Sequence, residues 1–241
     1  MFNDDFIING EYLTIGFSGK IASGKSTTSQ EVMNKLVGKD NYKKISFADA
    51  LRSEVQELLN HAYNNTLDYD YFDYTVSGDD RDKVIKISQQ AIEDNNGELP
   101  LSTSRLPAVR ELMQYWGTSV RRKNNNNYWI DKTRDKIREL HLAKYHVVID
   151  DTRFYNEATF IINQLNSLLI RLDVNKENQK KRIQSRFKNQ PEVLSQINLY
   201  HISETELDDF PFFDIRVNND EYNINEMSTM ITEEIIYKIS S

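Results

Sequence analysis

Leu13, Ile15 and Phe17 alternate with small residues, which predicts a buried strand over Tyr12–Phe17. A glycine-rich turn follows, and Val32, Met33 and Leu36 then fall on one face of a helix predicted over Ser26–Val37. Tyr42–Phe47 has the composition of a second strand. Leu51, Val55, Leu58 and Leu59 mark the apolar stripe of a helix reaching about Ala62, with Asp49 as its expected cap. Tyr63–Gly78 is rich in Tyr and Asp and reads as loop, Lys83–Asp94 as helix, and Asn95–Leu106 as an exposed loop carrying Gly97 and Pro100. Pro107 suits the first turn of a helix through Arg122, with Val109, Leu112, Met113, Trp116 and Val120 inward. The remaining pattern predicts a helix over Tyr128–Lys144, a strand over His146–Ile149, a helix over Asn156–Leu165 and a strand over Leu168–Val174. A basic helix over Lys176–Lys188, a further helix over Pro191–Leu199, a short strand over Asp214–Val217 and a closing helix over Asn225–Ile239 complete the chain. Strands that alternate with helices imply a parallel sheet covered on both faces. No internal repeat and no convincing linker divides the sequence, so 1–241 reads as a single α/β domain.

The turn after the first strand carries the spacing G-x-x-x-x-G-K-S, complete at Gly19, Gly24, Lys25 and Ser26. Each residue type answers a physical need. Glycines let the backbone wrap closely enough for its N–H groups to meet phosphate oxygens. The helix that begins near Lys25 presents free N–H groups and its positive dipole end to the same anion. Lys25 is placed to reach the β- and γ-phosphates of a nucleotide, and the Ser26 hydroxyl to ligate Mg²⁺. The motif follows a strand and precedes a helix, the context that separates a true phosphate loop from a chance match.

Three further groups of residues fit that loop. His146–Ile149 leads into Asp150 and Asp151, and the carboxyl end of a parallel strand is where ligands of open α/β sheets bind. One of the two carboxylates can hold Mg²⁺ through water, or can instead cap the next helix; Arg153 follows, suited to a phosphate or a carboxylate. Arg182 and Arg186 stand four apart in a basic segment, so they share a helix face and suit a lid that closes on the transferring phosphoryl group. Arg110 and Gln114 are also four apart, a guanidinium for a phosphate beside an amide for a base edge. His61, His141, His146 and His201 have no metal-ligand spacing, and no G-x-S-x-G motif is present.

Charge and cysteine usage narrow the setting. A formal net charge of -7 disfavours nucleic acid as a partner and requires a local basic pocket for any anionic substrate. With no cysteine in the chain, disulfides and thiol nucleophiles are excluded. No apolar run approaches the ~20 residues of a membrane span, and Met1–Asn9, with Asp4 and Asp5, lacks a basic leader start. The expected setting is the cytoplasm (the host's, for a viral protein), with small-molecule nucleotides as partners, no membrane, and a homodimer left open.

The motifs in order resemble the viral and bacteriophage deoxynucleoside monophosphate kinases, a branch of the P-loop kinases. The resemblance takes in Gly19–Thr27, Ser46–Arg52, Arg110–Thr118 with Arg121, Arg122, Tyr128 and Trp129, Asp151–Ala158, His201–Glu204 with Leu207 and Asp208, and Asp214 with Val217–Asn219. The Gln-x-x-Gly-Thr and Asp-x-Arg-Phe-x-Asn-Glu stretches are its more specific parts. Many relatives carry Asp where this chain has Ser26, and often Pro where it has Tyr155. Animal phosphomevalonate kinases are similar to the same pattern at greater distance.

The resemblance implies a P-loop NTPase three-layer fold with a central parallel sheet, a helical acceptor-binding insertion at about 49–145 and a lid at about 176–200. It implies transfer of the ATP γ-phosphoryl group to a dNMP, with ATP and Mg²⁺ as cofactors. Gly19, Ala22, Ser23, Gly24, Lys25, Ser26 and Thr27 then hold the donor phosphates, and Ser26 and Asp151 face the metal. Lys25, Arg153, Arg182 and Arg186 act on the transferring group. Arg52, Arg110 and Arg153 receive the acceptor phosphate, Gln114 and Trp116 line the acceptor pocket, and Asp49 and Asp151 serve the metal, the arginines or the sugar. The alternatives are a kinase for another phosphorylated metabolite and a slow nucleotide switch.

Overall fold

A computed structural model describes residues 12–36, 39–104, 106–164, 167–189, 191, 194 and 197–240. The acidic stretch Met1–Asn9, Arg105 and much of the helix expected at Pro191–Leu199 lie outside the described residues. The chain forms two compact units. The first is built from the chain up to Phe47, Thr133–Lys188 and Asn198 onward; the second from Ala48–Lys132 and Asn189–Ile197.

The first unit holds a five-stranded sheet in the order β2-β3-β1-β4-β5. Its strands are β1 (Thr14–Gly19), β2 (Tyr42–Ile45), β3 (His146–Thr152), β4 (Ser167–Asp173) and β5 (Ile215–Asn218), and every pairing is parallel. β1 lies at the centre and all six of its residues are buried. Successive side chains of a strand point to opposite faces, so each strand supplies two surfaces. Leu13, Ile15 and Phe17 join Val148, Leu168, Ile170, Leu172, Ile215 and Val217 on one of them. The apolar stripes of α1 (Lys25–Lys35) and the closing helix α9 (Ile224–Ser240) cover that surface through Val32, Met33, Met227, Ile231 and Ile235. On the other surface, α6 (Tyr155–Ile162) presses so close to β1 that a Cβ on Gly16 would stand 2.7 Å from Ile161 Cδ1. Helices therefore cover both faces of a parallel sheet whose central strand leads into the phosphate loop, the P-loop α/β arrangement that the pattern and the resemblance imply.

The second unit is helical. It contains α2 (Phe47–Tyr63) beyond its first residue, α3 (Gly78–Asp94), α4 (Pro107–Gln114) and the start of α5 (Tyr128–Leu142). Its core joins Val55, Leu58 and Leu59 to Val84, Ile87, Ala91, Val109, Leu112, Trp116 and Trp129. A charged network runs through it. Glu54 accepts from Trp116 Nε1 at 2.9 Å, Arg121 Nε at 3.1 Å and Tyr128 Oη at 2.5 Å.

Several elements depart from the sequence expectations, each for a local reason. α2 starts at Phe47, so Asp49 lies in its first turn and is not its cap. Asp151 of β3 takes the capping role by accepting from Phe47 N at 2.8 Å and from Ser46 Oγ. α3 starts at Gly78, ahead of any apolar residue, because Ser77 caps it through Asp80 N. The helix expected from Pro107 to Arg122 is α-helical only to Gln114 and continues as a wider π-type helix over Tyr115–Arg122. Leu51 packs there where a Cβ on Gly117 would stand, 2.9 Å from Leu51 Cδ2. β3 does not stop at Ile149 but runs through Asp150 and Asp151, with a register slip against β1 between Gly16 and Ser18. Such bulges re-aim side chains next to binding sites. The short helix α7 (Lys176–Arg186) follows the predicted basic segment, and a four-residue helix α8 (Ile202–Thr205) had no apolar period to announce it. Among the described residues no helix is long and apolar enough to cross a membrane.

Two histidines pack at the starts of β1 and β3, the end of the sheet away from the phosphate loop. His146 Nδ1 accepts from Leu13 N at 2.9 Å while its ring stacks on Tyr42, and buried His141 meets Thr14 Oγ1 at 3.3 Å. Burial pushes both pKa values below the ordinary 6.5, with His146 adding to the effect on His141. The unfolded chain thus binds these protons first. Stability is complete above pH 6.5 and is lost as pH falls from there toward the folded-state values. We expect the melting temperature to drop between pH 7 and pH 5.5, with a slope of at most about 1.4 kcal/mol per pH unit for each histidine. A His141→Gln/His146→Gln double variant should flatten that slope; an unchanged pH profile would refute the assignment.

Candidate functional site

The loop between β1 and α1 has the backbone of an anion cradle. Gly24 stands at the N-cap of α1 with φ 91°, where a Cβ would meet Asn219 Nδ2 at 2.5 Å. Ala22 is likewise left-handed, with φ 62°. No side chain caps α1, so the first-turn amides of Lys25, Ser26 and Thr27 have no intrahelical acceptor and carry the positive end of the helix dipole. Three successive loop carbonyls are held from outside. Ile21 O accepts from Gln179 Nε2 at 3.0 Å, Ala22 O from Arg182 Nη1 at 3.4 Å, and Ser23 O from Asn219 Nδ2. Holding carbonyls outward in this way leaves the concave side to N–H donors.

Lys25 is only 7% exposed, and its Nζ donates to Gly19 O at 2.6 Å and Lys20 O at 2.9 Å. It makes no ion pair among the described residues. Burial drives its pKa well below the ordinary 10.5, with Arg153 and Arg171 adding to the effect and Glu204 and Asp151 opposing it. Ser23 Oγ beside it is buried without a hydrogen-bond partner. A desolvated ammonium held by neutral carbonyls, next to an orphaned hydroxyl and uncapped amides, fits a polyphosphate.

At the ends of β3 and β4 stand two arginines that face carboxylates from the α8 segment. Arg153 Nη1 donates to Glu204 Oε1 at 2.5 Å. Arg171, 4% exposed, donates to Asp208 Oδ1 at 2.9 Å and to Ser18 Oγ at 3.1 Å. Lys20 meets Asp208 Oδ2 at 2.6 Å, and Ile21 N donates to Glu204 Oε2 at 2.6 Å. Asp150 pairs with Lys44 at 3.5 Å. Among the described residues no three His, Cys, Asp or Glu side chains gather as a metal cage. Ser26 and Asp151 offer a hydroxyl and a carboxylate, hard oxygen donors of the kind that hold Mg²⁺ together with substrate phosphates.

The structure thus gathers Gly19, Ala22, Ser23, Gly24, Lys25, Ser26 and Thr27 into the loop and the start of α1, with Asp151, Arg153 and Arg182 in the same unit. Arg182 spends its terminal nitrogens on Ala22 O and, at 3.0 Å, Asn219 O, while Arg186 is exposed and lies over the Phe187 ring. Asp49, Arg52, Arg110, Gln114 and Trp116 belong to the second unit. There Arg52 pairs with Asp49 at 2.8 Å, Gln114 is exposed, and Trp116 is buried with its N–H on Glu54. Arg110 is half-buried, its charge disfavoured by burial, and it has no counter-ion among the described residues. Sequence reasoning gave no role to Lys20, Arg171, Gln179, Glu204, Asp208 or Asn219. The resemblance took in Lys20, Glu204, Asp208 and Asn219 without assigning them one, and Arg171 carried a signal of its own, a charged residue in the middle of an apolar strand.

No family model matches the chain, and no curated protein does. Among solved structures, the Mycobacterium tuberculosis APS kinase CysC in complex with AMPPNP and APS is similar over 93% of this chain and 98% of its own. The identity is 15% and the TM-score 0.35. At that likeness the functional reading rests on the residues themselves.

Lys25→Met keeps the length of the side chain and removes its charge. We expect it to weaken the binding of a non-hydrolysable ATP analogue by roughly 10- to 100-fold, the equivalent of one charged hydrogen bond. Because the wild-type ammonium is buried without a carboxylate, the melting temperature should not fall by more than a few degrees. Calorimetric titration and a melt check both; analogue binding at wild-type strength would remove Lys25 from the site.

Proposed function

We propose that this chain is a deoxynucleoside monophosphate kinase, which transfers the γ-phosphoryl group of ATP to a dNMP and gives ADP and a dNDP. The observation that carries a phosphotransferase reading is the buried, unpaired Lys25 over an uncapped helix start inside a complete phosphate loop. The half-buried Arg110 without a counter-ion, one helical turn from exposed Gln114, supports a second anionic substrate. A nucleotide switch needs no such second anion site.

In this reading the acceptor's phosphate oxygen attacks the γ-phosphorus in line, and the bond to the oxygen bridging the β- and γ-phosphates breaks, leaving ADP. Such chemistry needs positioning and charge stabilisation more than a covalent nucleophile. The loop amides and Lys25 hold the donor phosphates; Ser26 and Asp151 would hold Mg²⁺, which would supply neutralisation of phosphate charge. Arg153, with Arg182 and Arg186 of α7, faces the transferring group. Arg52 and Arg110 receive the acceptor phosphate, while Gln114, beside Trp116, reads the base. A coupled assay across dNMPs, NMPs and phosphomevalonate tests the proposal. Turnover with phosphomevalonate alone would make the chain a kinase for another metabolite, and ATP turnover indifferent to every acceptor would favour a switch.

Arg110 and Gln114 divide the acceptor's recognition. Arg110→Ala should weaken every dNMP alike, by about 1.5–3 kcal/mol in kcat/KM. Gln114→Ala should change the ranking of the bases, since only some present a matching edge to its amide. A uniform loss across all dNMPs in the Gln114 variant would assign that side chain to the common part of the nucleotide.

A further inference from the structure

Glu204 and Asp208 stand four residues apart, on α8 and the turn that follows it. Each divides its two oxygens in the same way. One Glu204 oxygen accepts from Ile21 N of the phosphate loop at 2.6 Å, and the other from Arg153 beyond β3 at 2.5 Å. One Asp208 oxygen pairs with Lys20 of the loop at 2.6 Å, and the other with Arg171 of β4 at 2.9 Å. Two parallel carboxylate bridges thus tie the leading edge of the loop, Lys20–Ile21, to the ends of the strands on either side of β1. The carbonyl side of the loop is tied by other residues: Gln179 at Ile21 O, Arg182 at Ala22 O and Asn219 at Ser23 O.

Geometry separates the two bridges. Arg171 is 4% exposed and pairs with Asp208 at 2.9 Å and Asp173 at 3.3 Å, so Asp208 is committed to neutralising a buried charge. Arg153 is more exposed and commits one of its five N–H donors to Glu204, which leaves others for a phosphate. A carboxylate can accept from both Ile21 N and Arg153; an amide in its place has only one acceptor oxygen. Glu204 is therefore the adjustable member of the pair, and it lies beside the Lys25 ammonium closely enough to oppose the lowering of its pKa.

We propose that Glu204 is a positioning residue for phosphoryl transfer: its carboxylate aims Arg153 and fixes the Lys20–Ile21 edge of the loop relative to each other before the polyphosphate arrives. The proposal rests on the kinase reading for its effect on turnover, but not for its effect on the loop. Removing a negative charge beside an anion site does not weaken anion binding, whereas a loosened arginine and loop edge lose alignment in the transition state. Turnover and affinity should therefore separate.

The first measurement needs no acceptor. Hydrogen exchange at the Ile21 amide should quicken by about tenfold or more in Glu204→Ala, with exchange in β1 and β4 unchanged. Glu206→Gln, in the same segment with its carboxylate on Tyr155 N, is the control and should leave Ile21 as it is. The second uses Glu204→Gln with the best dNMP. We expect kcat to fall by about tenfold or more while the dissociation constant of a non-hydrolysable ATP analogue does not rise. Unchanged exchange at Ile21, an unchanged kcat in an active enzyme, or a joint loss of analogue affinity and melting temperature would each overturn the proposal. A wild-type protein inactive on every dNMP would refute the substrate reading instead, and the exchange and analogue arms would still decide the role of Glu204.

Discussion

A lysine ammonium buried against two backbone carbonyls, without an ion pair among the described residues, is the constraint on which the site depends. Desolvation alone makes such a charge expensive. It is tolerated because the loop around it cannot collapse elsewhere. Gln179, Arg182 and Asn219 hold three carbonyls from outside, and Gly24 sits where a Cβ would meet the Asn219 amide. The sheet underneath supplies the rigidity. β1 is buried along its whole length and leads straight into the loop, so strain there is resisted by packing on both faces. In the proposed reading a polyphosphate supplies what the fold withholds from Lys25, a negative partner in a desolvated place.

Charge distribution follows the same logic. The chain carries a formal net charge of -7, yet Lys20, Lys25, Arg153, Arg171 and Arg182 belong to one unit and are tied to the loop or to its neighbouring strand ends. Glu204 and Asp208 keep this group from repelling itself in the absence of a ligand. An acidic surface outside and a compensated basic group inside favour a small anion that can enter the cradle over an extended polyanion that must lie along the surface.

How much of this was legible in the sequence depended on whether the cause was local. The five strands, the faces of α1 and α2, and the phosphate loop came from periodicity and from one contiguous motif, so they were readable to within three residues of their true ends. What was missed was set by partners distant in the chain. The start of α2 is fixed by Asp151, more than a hundred residues later. The wide turn after Gln114 lies where Leu51 fills the space beside Gly117. Glu204 lies on a four-residue helix with no apolar period and Asp208 on the turn after it, and their meaning resides in contacts to Lys20, Ile21, Arg153 and Arg171. The i, i+4 reading of Arg182 and Arg186 found a shared helix face but not that Arg182 already braces two backbone carbonyls.

Asp151 shows why one carboxylate at a strand end can serve two ends at once. One oxygen accepts from Phe47 N and the other from Ser46 Oγ, which fixes the residues where the chain leaves the first unit and α2 begins. A carboxylate has about four lone-pair sites, and these two bonds engage one on each oxygen. They do fix its orientation, as partners around a metal-side carboxylate commonly do. The sequence reading set a metal role against capping of the helix that follows the strand. Asp151 instead caps α2, while α6 starts after Phe154 with Glu157 accepting from the Phe154 amide, and the metal role belongs to the proposed function. The register slip between β1 and β3 falls between Ile149 and Thr152, at Asp150 and Asp151 themselves, so both carboxylates leave the regular ladder there.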